Sequence, residues 1–513
     1  MKKNVLKPRL SMVLIASLFI SLMALTGCFN KSKINSMVPE DATVVLCVDL
    51  NSLWNKGNLD DLDKVSTVKY LRQELKDEDP DIAKIFDELL KDPNSCGLKL
   101  KGEMVAFNSG SLKSPFCIGF SVKKADQFED FLTTIRKKLD VEMDISNEGA
   151  YRLAFFEDFD MAACWDNNKA YFITGVYKQR DVANDAEELM TLTKQNSIAN
   201  NKDFNAFMKG KRDIRLFINT EKLASYLRKT EPSLYRQLEP SISQYKDASA
   251  CLFLNFEKGA IKMESKYIGL DSKNNMLNTN FNSDLLNYLP EETFGAATLA
   301  FNMDQLLKEL EKSDQVDLDE SITWGGPSFR KVFSCFTGDI AANLSQIKYD
   351  RYDGLEPVIT VAAGINNSRT LEKMFDDMEG DGIEYNGDSY DIPYTNFSIK
   401  IKDDVLLFSN DSKALNAFKR GGAGNGIDQV ASKAKKGNYM YFNLDLDDYP
   451  SSLTRNLDKG VVELLSGFLK YAEVKTTGNY SGEITIYLKN DSMNSLEFMI
   501  NYFDSLASLQ RFL

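Results

Sequence analysis

The chain has 513 residues, of which 62 are basic, 75 are acidic and none is histidine. Without histidine, the sequence excludes Ser-His-Asp and Cys-His nucleophilic catalysis, histidine acid–base chemistry and the usual catalytic zinc sites. The acidic excess argues against nucleic acid as a partner and against electrostatic docking on anionic lipid, because both depend on Lys and Arg.

The amino terminus has the pattern of an export signal. Basic residues precede an apolar stretch, 11–25, which is shorter than the roughly 20 apolar residues of a membrane span and matches a signal-peptide core. The basic residues are Lys2, Lys3, Lys7 and Arg9. The chain is therefore predicted to be exported.

The four residues that follow, Leu25-Thr26-Gly27-Cys28, resemble the lipobox of bacterial lipoproteins. The resemblance implies that residues 1–27 are removed as a signal peptide and that Cys28 carries a diacylglyceryl group with palmitate-like chains. Two or more acyl chains anchor a protein stably. Residues 28–38 are then a lipidated tether. The alternative is an ordinary secretory peptide with a chance cysteine.

Removal of the signal leaves 58 basic against 75 acidic residues, a net charge of −17. Surface-exposed lipoproteins of Bacteroidetes often carry acidic residues just after the lipidated cysteine, whereas this chain has Lys31 and Lys33 there. By that resemblance we expect an outer-membrane anchor with the protein facing the periplasm.

Six further cysteines follow Cys28, most of them inside apolar runs that suggest strands. An exported compartment permits disulfides, and six cysteines allow about 15 full pairings, among which the sequence does not choose. Buried free thiols are the simpler interpretation. The six are Cys47, Cys96, Cys117, Cys164, Cys251 and Cys335.

The mature chain contains an internal repeat, which we place at residues 39–275 and 285–513. Each half opens with a Pro-acidic motif, at Pro39 and Pro290, followed by an apolar strand and a polar residue that begins a helix. This strand-to-helix unit recurs within each half. Aligned, the four units place Asp49, Asn219, Asn302 and Asp445 in one column, and Leu53, Leu223, Leu306 and Tyr449 in the column four residues later. Asp and Asn at that position predict helix caps, and a cluster around a ligand is the alternative.

Hairpin patterns recur in both halves. Polar turns are predicted at residues 166–168 and 403–404, and glycine turns at Gly259 and Gly482. Strands that alternate with amphipathic helices predict an α+β fold of two similar halves, each a mixed or antiparallel sheet with packed helices. The joint is placed at residues 270–284, and residues 493–512 are predicted to form a docking or core helix.

The order of lipobox, tether and duplicated strand-helix module is similar to that of an uncharacterised Bacteroidetes lipoprotein family, a domain of unknown function. The resemblance rests on the motifs at Cys28, Pro39 and Pro290 and covers most of the mature chain. It implies an envelope location and the fold, and it transfers no site residues.

Other motifs have structural interpretations. Residues 421–426, rich in glycine, follow a helical run and lack the Lys-Ser/Thr pair of a phosphate loop, so they predict a helix stop. Residues 324–327 (Trp-Gly-Gly-Pro) are predicted to plug the core, with sugar or peptide stacking as the alternative. No pattern indicates a metal or a cofactor. The acidic clusters, predicted to be caps or solvated faces, are Asp60-Asp61-Asp63, Asp376-Asp377-Glu379-Asp381 and Asp445-Asp447-Asp448.

The leading functional hypothesis is a non-enzymatic, lipid-anchored cell-envelope protein that binds a macromolecular partner or a glycan. The alternative is a carboxylate-dependent, glycosidase-like hydrolase, which needs two acids facing one cleft about 5 to 9.5 Å apart. A third hypothesis is a structural spacer or assembly subunit.

Overall fold

A computed structural model describes the chain from residue 34 onward, with several short gaps. The described residues are 34–112, 116–139, 141–156, 160–174, 179–245, 247–270, 276–278, 280–312, 317–321, 326–350, 354–380, 382–422, 433, 438–455, 459–478 and 480–510. They form two compact units. Unit 1 comprises the described residues of Met1–Leu270 and Asn490–Leu513, and unit 2 those of Asp271–Lys489.

The sheet of unit 1 is antiparallel throughout its described strands. In space the strands follow the order β4-β5-β6-β7-β3-β2-β1-β8-β9-β10. Their bounds are β1 Ala42–Asp49, β2 Glu103–Ser109, β3 Phe116–Ser121, β4 Met143–Asn147, β5 Arg152–Phe156, β6 Met161–Trp165, β7 Lys169–Thr174, β8 Ile214–Asn219, β9 Ser249–Glu257 and β10 Ala260–Ile268.

Helices cover both faces of this sheet, because successive strand residues point to opposite sides. On β1, Val45 and Cys47 join one apolar cluster and Val48 joins the other. The first cluster contains α5 and α6, and the second contains α2, α3 and α4. The α-helices are α1 Leu50–Lys56, α2 Ser66–Glu78, α3 Pro80–Lys91, α4 Ala125–Leu139, α5 Gln179–Met190, α6 Lys202–Phe207, α7 Thr220–Thr230 and α8 Pro232–Gln244. Short 3₁₀ helices are Asn35–Met37, Leu59–Lys64, Pro93–Cys96, Lys194–Asn196 and Ile198–Asn200.

The sheet of unit 2 repeats the strand order of unit 1. Its described strands are also antiparallel and follow the order β14-β15-β16-β17-β13-β12-β11-β18-β19-β20. Each position holds the strand numbered ten higher than its counterpart in unit 1. The bounds are β11 Gly295–Ala300, β12 Phe336–Asp350, β13 Gly354–Ile365, β14 Glu384–Tyr385, β15 Tyr390–Asp391, β16 Ser398–Lys402, β17 Val405–Ser409, β18 Tyr439–Asn443, β19 Leu469–Gly478 and β20 Ser481–Leu488.

Helices also pack on both faces of the unit 2 sheet. One face packs against the 3₁₀ helix Ser283–Tyr288 and against Phe418 of α12, and the other against Leu371 and Met374 of α11. The α-helices are α9 Met303–Lys312, α10 Phe329–Phe333, α11 Ser368–Asp377, α12 Ser412–Lys419, α13 Ser451–Thr454 and α14 Lys459–Ser466, with a further 3₁₀ helix at Leu446–Asp448. The predicted α+β class is confirmed, and its sheets are antiparallel. Within the described residues, none of the helices combines the length and the apolar content needed to cross a membrane.

The predicted column of helix caps is confirmed. Asp49, Asn219 and Asn302 each accept a hydrogen bond from the backbone N–H three residues later, at 2.9–3.1 Å. Asp445 caps the 3₁₀ helix Leu446–Asp448 through the N–H of Asp447, at 3.0 Å. Each such cap contributes about 1 kcal/mol to stability.

The predictions for individual glycines had different outcomes. Gly259 lies at the β9–β10 turn with φ of 69°, as predicted. Gly482 is not a turn residue: it lies inside β20, paired with Thr476, and the turn contains Tyr480 with φ of 56°. The predicted helix stop is confirmed at Gly421 and Gly422, which have φ of 101° and 108° just beyond α12. Residues 423–426 lie outside the described residues.

The C-terminal helix, α15 (Ser495–Gln510), packs with unit 1. Its Leu496 and Met499 contact the cluster beneath α2 and α3. The carboxylate of Asp504 accepts hydrogen bonds from the N–H groups of Ser66 and Thr67, at 2.8 and 2.7 Å, and so caps α2. The predicted docking helix is confirmed. It packs with the first unit, whereas its position in the sequence predicts that it belongs to the repeat 285–513.

Candidate functional site

Three neighbouring strands of unit 2 carry tyrosine and acidic side chains on one face. Asn443 of β18 is opposite Tyr471 of β19, which is opposite Tyr487 of β20. In the adjacent row, Tyr441 is opposite Glu473. Because residues two apart on a strand share a face, these five side chains form one surface.

Neighbouring tyrosine rings on this surface contact one another, one pair stacked and the other tilted. The ring centroids of Tyr471 and Tyr487 are 4.3 Å apart with planes inclined by 23°, and those of Tyr441 and Tyr471 are 5.6 Å apart at 38°. Burial, followed by the charge of Glu473, raises the pKa of Tyr487 and of Tyr471 above the ordinary value. The tyrosine hydroxyls are therefore protonated near neutral pH and can donate hydrogen bonds.

Glu473 is a buried carboxylate at the floor of this surface, with 6% of the residue exposed. It forms an ion pair with Lys433 and accepts a hydrogen bond from the hydroxyl of Tyr487 at 3.3 Å. The ammonium group of Lys433 also lies 5.8 Å from the centroid of the Tyr487 ring. The buried charge is thereby neutralised within the site.

A polar network borders the tyrosines. The Asn443 amide donates to Asp448 at 2.8 Å, and its carbonyl oxygen accepts the Asp445 N–H at 2.9 Å. Asp445 in turn forms an ion pair with Lys489 at 2.7 Å. The cap at Asp445 therefore holds the strand end and the polar rim in place together.

These residues enclose an open cavity of about 390 Å³, within the usual size range of small-ligand sites. Its lining consists of Lys433, Tyr441, Asn443, Asp445, Asp448, Lys470, Tyr471 and Glu473. Aromatic faces and polar groups thus meet in one concave region.

The corresponding strands of unit 1 are packed differently. On β8 and β9, Phe217 and Phe253 belong to an apolar cluster, and Phe204 and Phe207 of α6 pack directly on them. The centroids of Phe204 and Phe217 are 5.2 Å apart in an edge-to-face arrangement. Unit 1 fills with phenylalanine the position at which unit 2 has an open, tyrosine-lined cavity.

A family model described as a domain of unknown function (DUF4836) matches residues 34–496. The chain belongs to this family. The predicted membership of a family of unknown function is therefore confirmed. No relative among curated proteins matches the chain.

Two solved structures, crystal forms III and I of TP0453, are similar to this family member at 9% and 10% identity. The matches cover 73% and 75% of this chain, and 92% and 96% of theirs, with TM-scores of 0.20 and 0.22. Similarity of this extent carries no argument about fold or function.

The residues singled out in the sequence have varied locations. Cys28, Trp324 and Asp381 lie outside the described residues. Asp60 accepts a hydrogen bond from the indole N–H of Trp54 at 2.6 Å. Asp376 accepts one from the hydroxyl of Tyr390 at 3.0 Å, and these two contacts are separate from each other. Asp445 and Asp448, by contrast, lie together at the cavity. Among the described residues, no group of three or more Cys, Asp or Glu side chains could hold a metal ion.

The tyrosines were not singled out by the sequence analysis. The available signal was the spacing of two in Tyr439-x-Tyr441 and Tyr471-x-Glu473, which places aromatic and acidic side chains on one face of a strand. Burial of Tyr439 and the nearby charge of Glu473 raise the pKa of that tyrosine as well.

Proposed function

We propose that this chain is a non-enzymatic, lipid-anchored protein of the cell envelope that binds a glycan through the unit 2 cavity. The observation that carries the proposal is the stack of Tyr471 on Tyr487 beside the buried carboxylate of Glu473. Tyrosine combines an apolar ring face with a polar tip, and such side chains are frequent at binding surfaces.

A pyranose ring fits this chemistry. The C–H groups on the face of a sugar can pack on an aromatic ring, and the hydroxyls at its edge both donate and accept hydrogen bonds. The cavity offers the ring faces of Tyr441 and Tyr471, with Asn443, Asp448 and Lys470 at its border. A globular protein partner is less well matched, because the tyrosine rings lie inside a concavity.

The anchor is assigned to Cys28 with palmitate-like chains, at the outer membrane facing the periplasm. Support comes from the lipobox-like residues 25–28 and from Lys31 and Lys33. Metabolic labelling with an alkyne fatty acid should mark the wild type and leave C28S unmarked. Labelling of C28S would show that the anchor lies elsewhere.

The two units are proposed to derive from a duplication. Their described strands occupy the same order in the two sheets. The capping residue Asp49 ends the first strand of unit 1, and Asn302 lies two residues after the first strand of unit 2. On this proposal, unit 1 kept a closed phenylalanine core, whereas unit 2 acquired the cavity.

A carboxylate-dependent hydrolase is the second candidate, because Asp445, Asp448 and Glu473 line the same cavity. Against it, Glu473 is paired with Lys433, and Asp445 is both a helix cap and the partner of Lys489. Both oxygens of Glu473 and the Oδ1 atom of Asp445 are thus engaged within the protein, which opposes their use to protonate a leaving group or to activate water. Glycan turnover by the purified protein that is abolished in E473Q would favour the hydrolase.

Binding is tested with the full protein, purified from membranes in detergent, on an array of neutral and acidic glycans. We expect Y471A to lose most of the affinity for whichever glycan is bound, because the stacking surface is removed. The matched control is Y385A, which removes a half-exposed tyrosine that contacts Tyr390 elsewhere in unit 2. Equal binding by Y471A and Y385A, or no glycan bound by the wild type, would refute the proposal.

A further inference from the structure

Resting on the proposed function, we further propose that the cavity selects uncharged hexopyranose units over uronic acids and sulfated sugars. Asp448 and Lys470, which lie at the border of the cavity, determine that preference. The polar groups of the lining divide into those already engaged within the protein and those left for a ligand.

Several polar groups of the lining are engaged within the protein. Glu473 binds Lys433 and the hydroxyl of Tyr487 through its two oxygens. Asn443 donates from its amide nitrogen to Asp448 and accepts at its oxygen from the Asp445 N–H. These groups fix the shape of the cavity and leave little capacity for a ligand.

The remaining groups are two hydroxyls and one pair of opposite charges. Within the part of the chain that the structure describes, no hydrogen bond or ion pair is formed by the hydroxyls of Tyr441 and Tyr471 or by the ammonium group of Lys470. The hydrogen bond from Asn443 uses only the Oδ2 atom of Asp448 and leaves its Oδ1 atom for a ligand. Both Asp448 and Lys470 are exposed. A sugar ring lying on Tyr471 could donate a hydroxyl to Asp448 and accept from Lys470.

The charges around the site have an excess of one carboxylate before any ligand arrives. Asp445, Asp447, Asp448 and Glu473 stand against Lys433, Lys470 and Lys489, and the last of these forms ion pairs with both Asp445 and Asp447. A carboxylate or sulfate on the sugar would add a negative charge beside Asp448, and an unmatched charge of either sign is disfavoured in a partly desolvated cavity. An uncharged sugar satisfies both Asp448 and Lys470 without adding charge.

The test compares glycans that differ in charge and keeps the same backbone. Dextran is paired with dextran sulfate, and fully methyl-esterified homogalacturonan with its de-esterified form, alongside the neutral and acidic members of the array. We expect the wild type to bind the neutral glycans and to bind the acidic glycans at least about tenfold more weakly. D448N should weaken neutral binding about tenfold by removing a charge-assisted hydrogen bond, and should also reduce the discrimination against acidic glycans. D144N, an exposed aspartate of β4, is the control for a lost surface charge.

The outcomes separate this inference from the proposed function. Preferential binding of uronic or sulfated glycans that depends on Tyr471 would overturn the charge preference and leave glycan binding intact. Identical selectivity of D448N, D144N and the wild type would overturn the role of Asp448. Absence of glycan binding by the wild type would remove both proposals.

Discussion

A buried ion pair in unit 1 provides a quantitative test of how the fold is stabilised. Arg215 of β8 is 1% exposed and its partner Glu103 of β2 has a side chain 5% exposed, with Nη1 and Oε1 3.4 Å apart. The guanidinium group also donates to the Gly210 carbonyl at 3.3 Å, while its Nε has no partner among the described residues. The positive charge is therefore compensated mainly by Glu103.

Neutralising only one member of this pair should be strongly destabilising. E103Q keeps the size of the side chain and leaves the buried guanidinium uncompensated, which we expect to lower the free energy of unfolding by about 3 to 5 kcal/mol. Replacing both members by apolar residues, in E103L/R215M, should cost far less and could even stabilise, because two desolvated charges are removed together.

Urea unfolding followed by tryptophan fluorescence measures these effects in unit 1. Trp54 and Trp165 are both buried there, at 2% and 1% exposure, and a W324F background removes the third tryptophan. A midpoint for E103Q within error of the wild type would refute the argument, and so would a double variant as unstable as E103Q. Either result would mean that water or another group solvates Arg215.

Three further predictions concern stability and reactivity. Partial burial raises the pKa of Asp504, while hydrogen bonds from the first turn of α2 lower it, with a net decrease. The carboxylate therefore stabilises the fold above its unfolded pKa of about 3.9 and loses this contribution as the pH falls through the folded value. D504A should cost about 1 kcal/mol in urea titrations at pH 6, and the difference from wild type should shrink as the pH falls below about 3.9 and vanish once the pH is below the lowered folded pKa; a constant difference would contradict the cap. G422A should lower the melting temperature, because φ is 108° and a Cβ would lie 2.6 Å from the Asn287 carbonyl oxygen, whereas an unchanged melting temperature would contradict this strain. The six described cysteines are buried and free, as predicted, and burial raises the pKa of their thiols, so a thiol reagent should label them only after unfolding. Labelling in the native state would show that the core opens.

Local features could be predicted from the sequence because their causes are local. Asp49 and Asn302 cap helices through hydrogen bonds to residues three positions later, and a short apolar run followed by such a residue reveals them. The left-handed backbone conformation of Gly421 and Gly422 beyond α12 could be predicted for the same reason. The prediction of a turn at Gly482 was wrong because the turn contains Tyr480, two residues earlier. The register of a hairpin depends on both strands, so one strand alone does not fix it.

The candidate site could not be predicted, because its parts meet only through strand pairing. Tyr441 and Tyr471 are 30 positions apart in the sequence, and Tyr487 is a further 16 away. The contacts among their rings require β18, β19 and β20 to be neighbours in a particular register. A single sequence gives the alternation within each strand and leaves the partner strands open.

The contrast between the two units explains why the candidate site is proposed in unit 2 and not at the corresponding position of unit 1. The phenylalanines of α6 cover the corresponding surface of unit 1. Their ring centroids lie 5.2 to 5.4 Å from those of Phe217 and Phe253. A ligand would have to displace that packed cluster, and each large buried aromatic contributes about 3 to 5 kcal/mol to stability. Among the described residues that line the unit 2 cavity, none is a phenylalanine, and the lining tyrosines Tyr441 and Tyr471 are only partly buried.

Fluorine NMR of protein labelled with 3-fluorotyrosine tests the central claim most directly. Resonances are assigned with single Tyr-to-Phe variants, and a glycan retained by the array is titrated into the full protein. We expect the resonances of Tyr441 and Tyr471 to shift in a saturable manner and that of Tyr385, outside the cavity, to stay in place. Saturable shifts confined to Tyr385 and other tyrosines outside the cavity would contradict the assignment of the unit 2 cavity as the binding site.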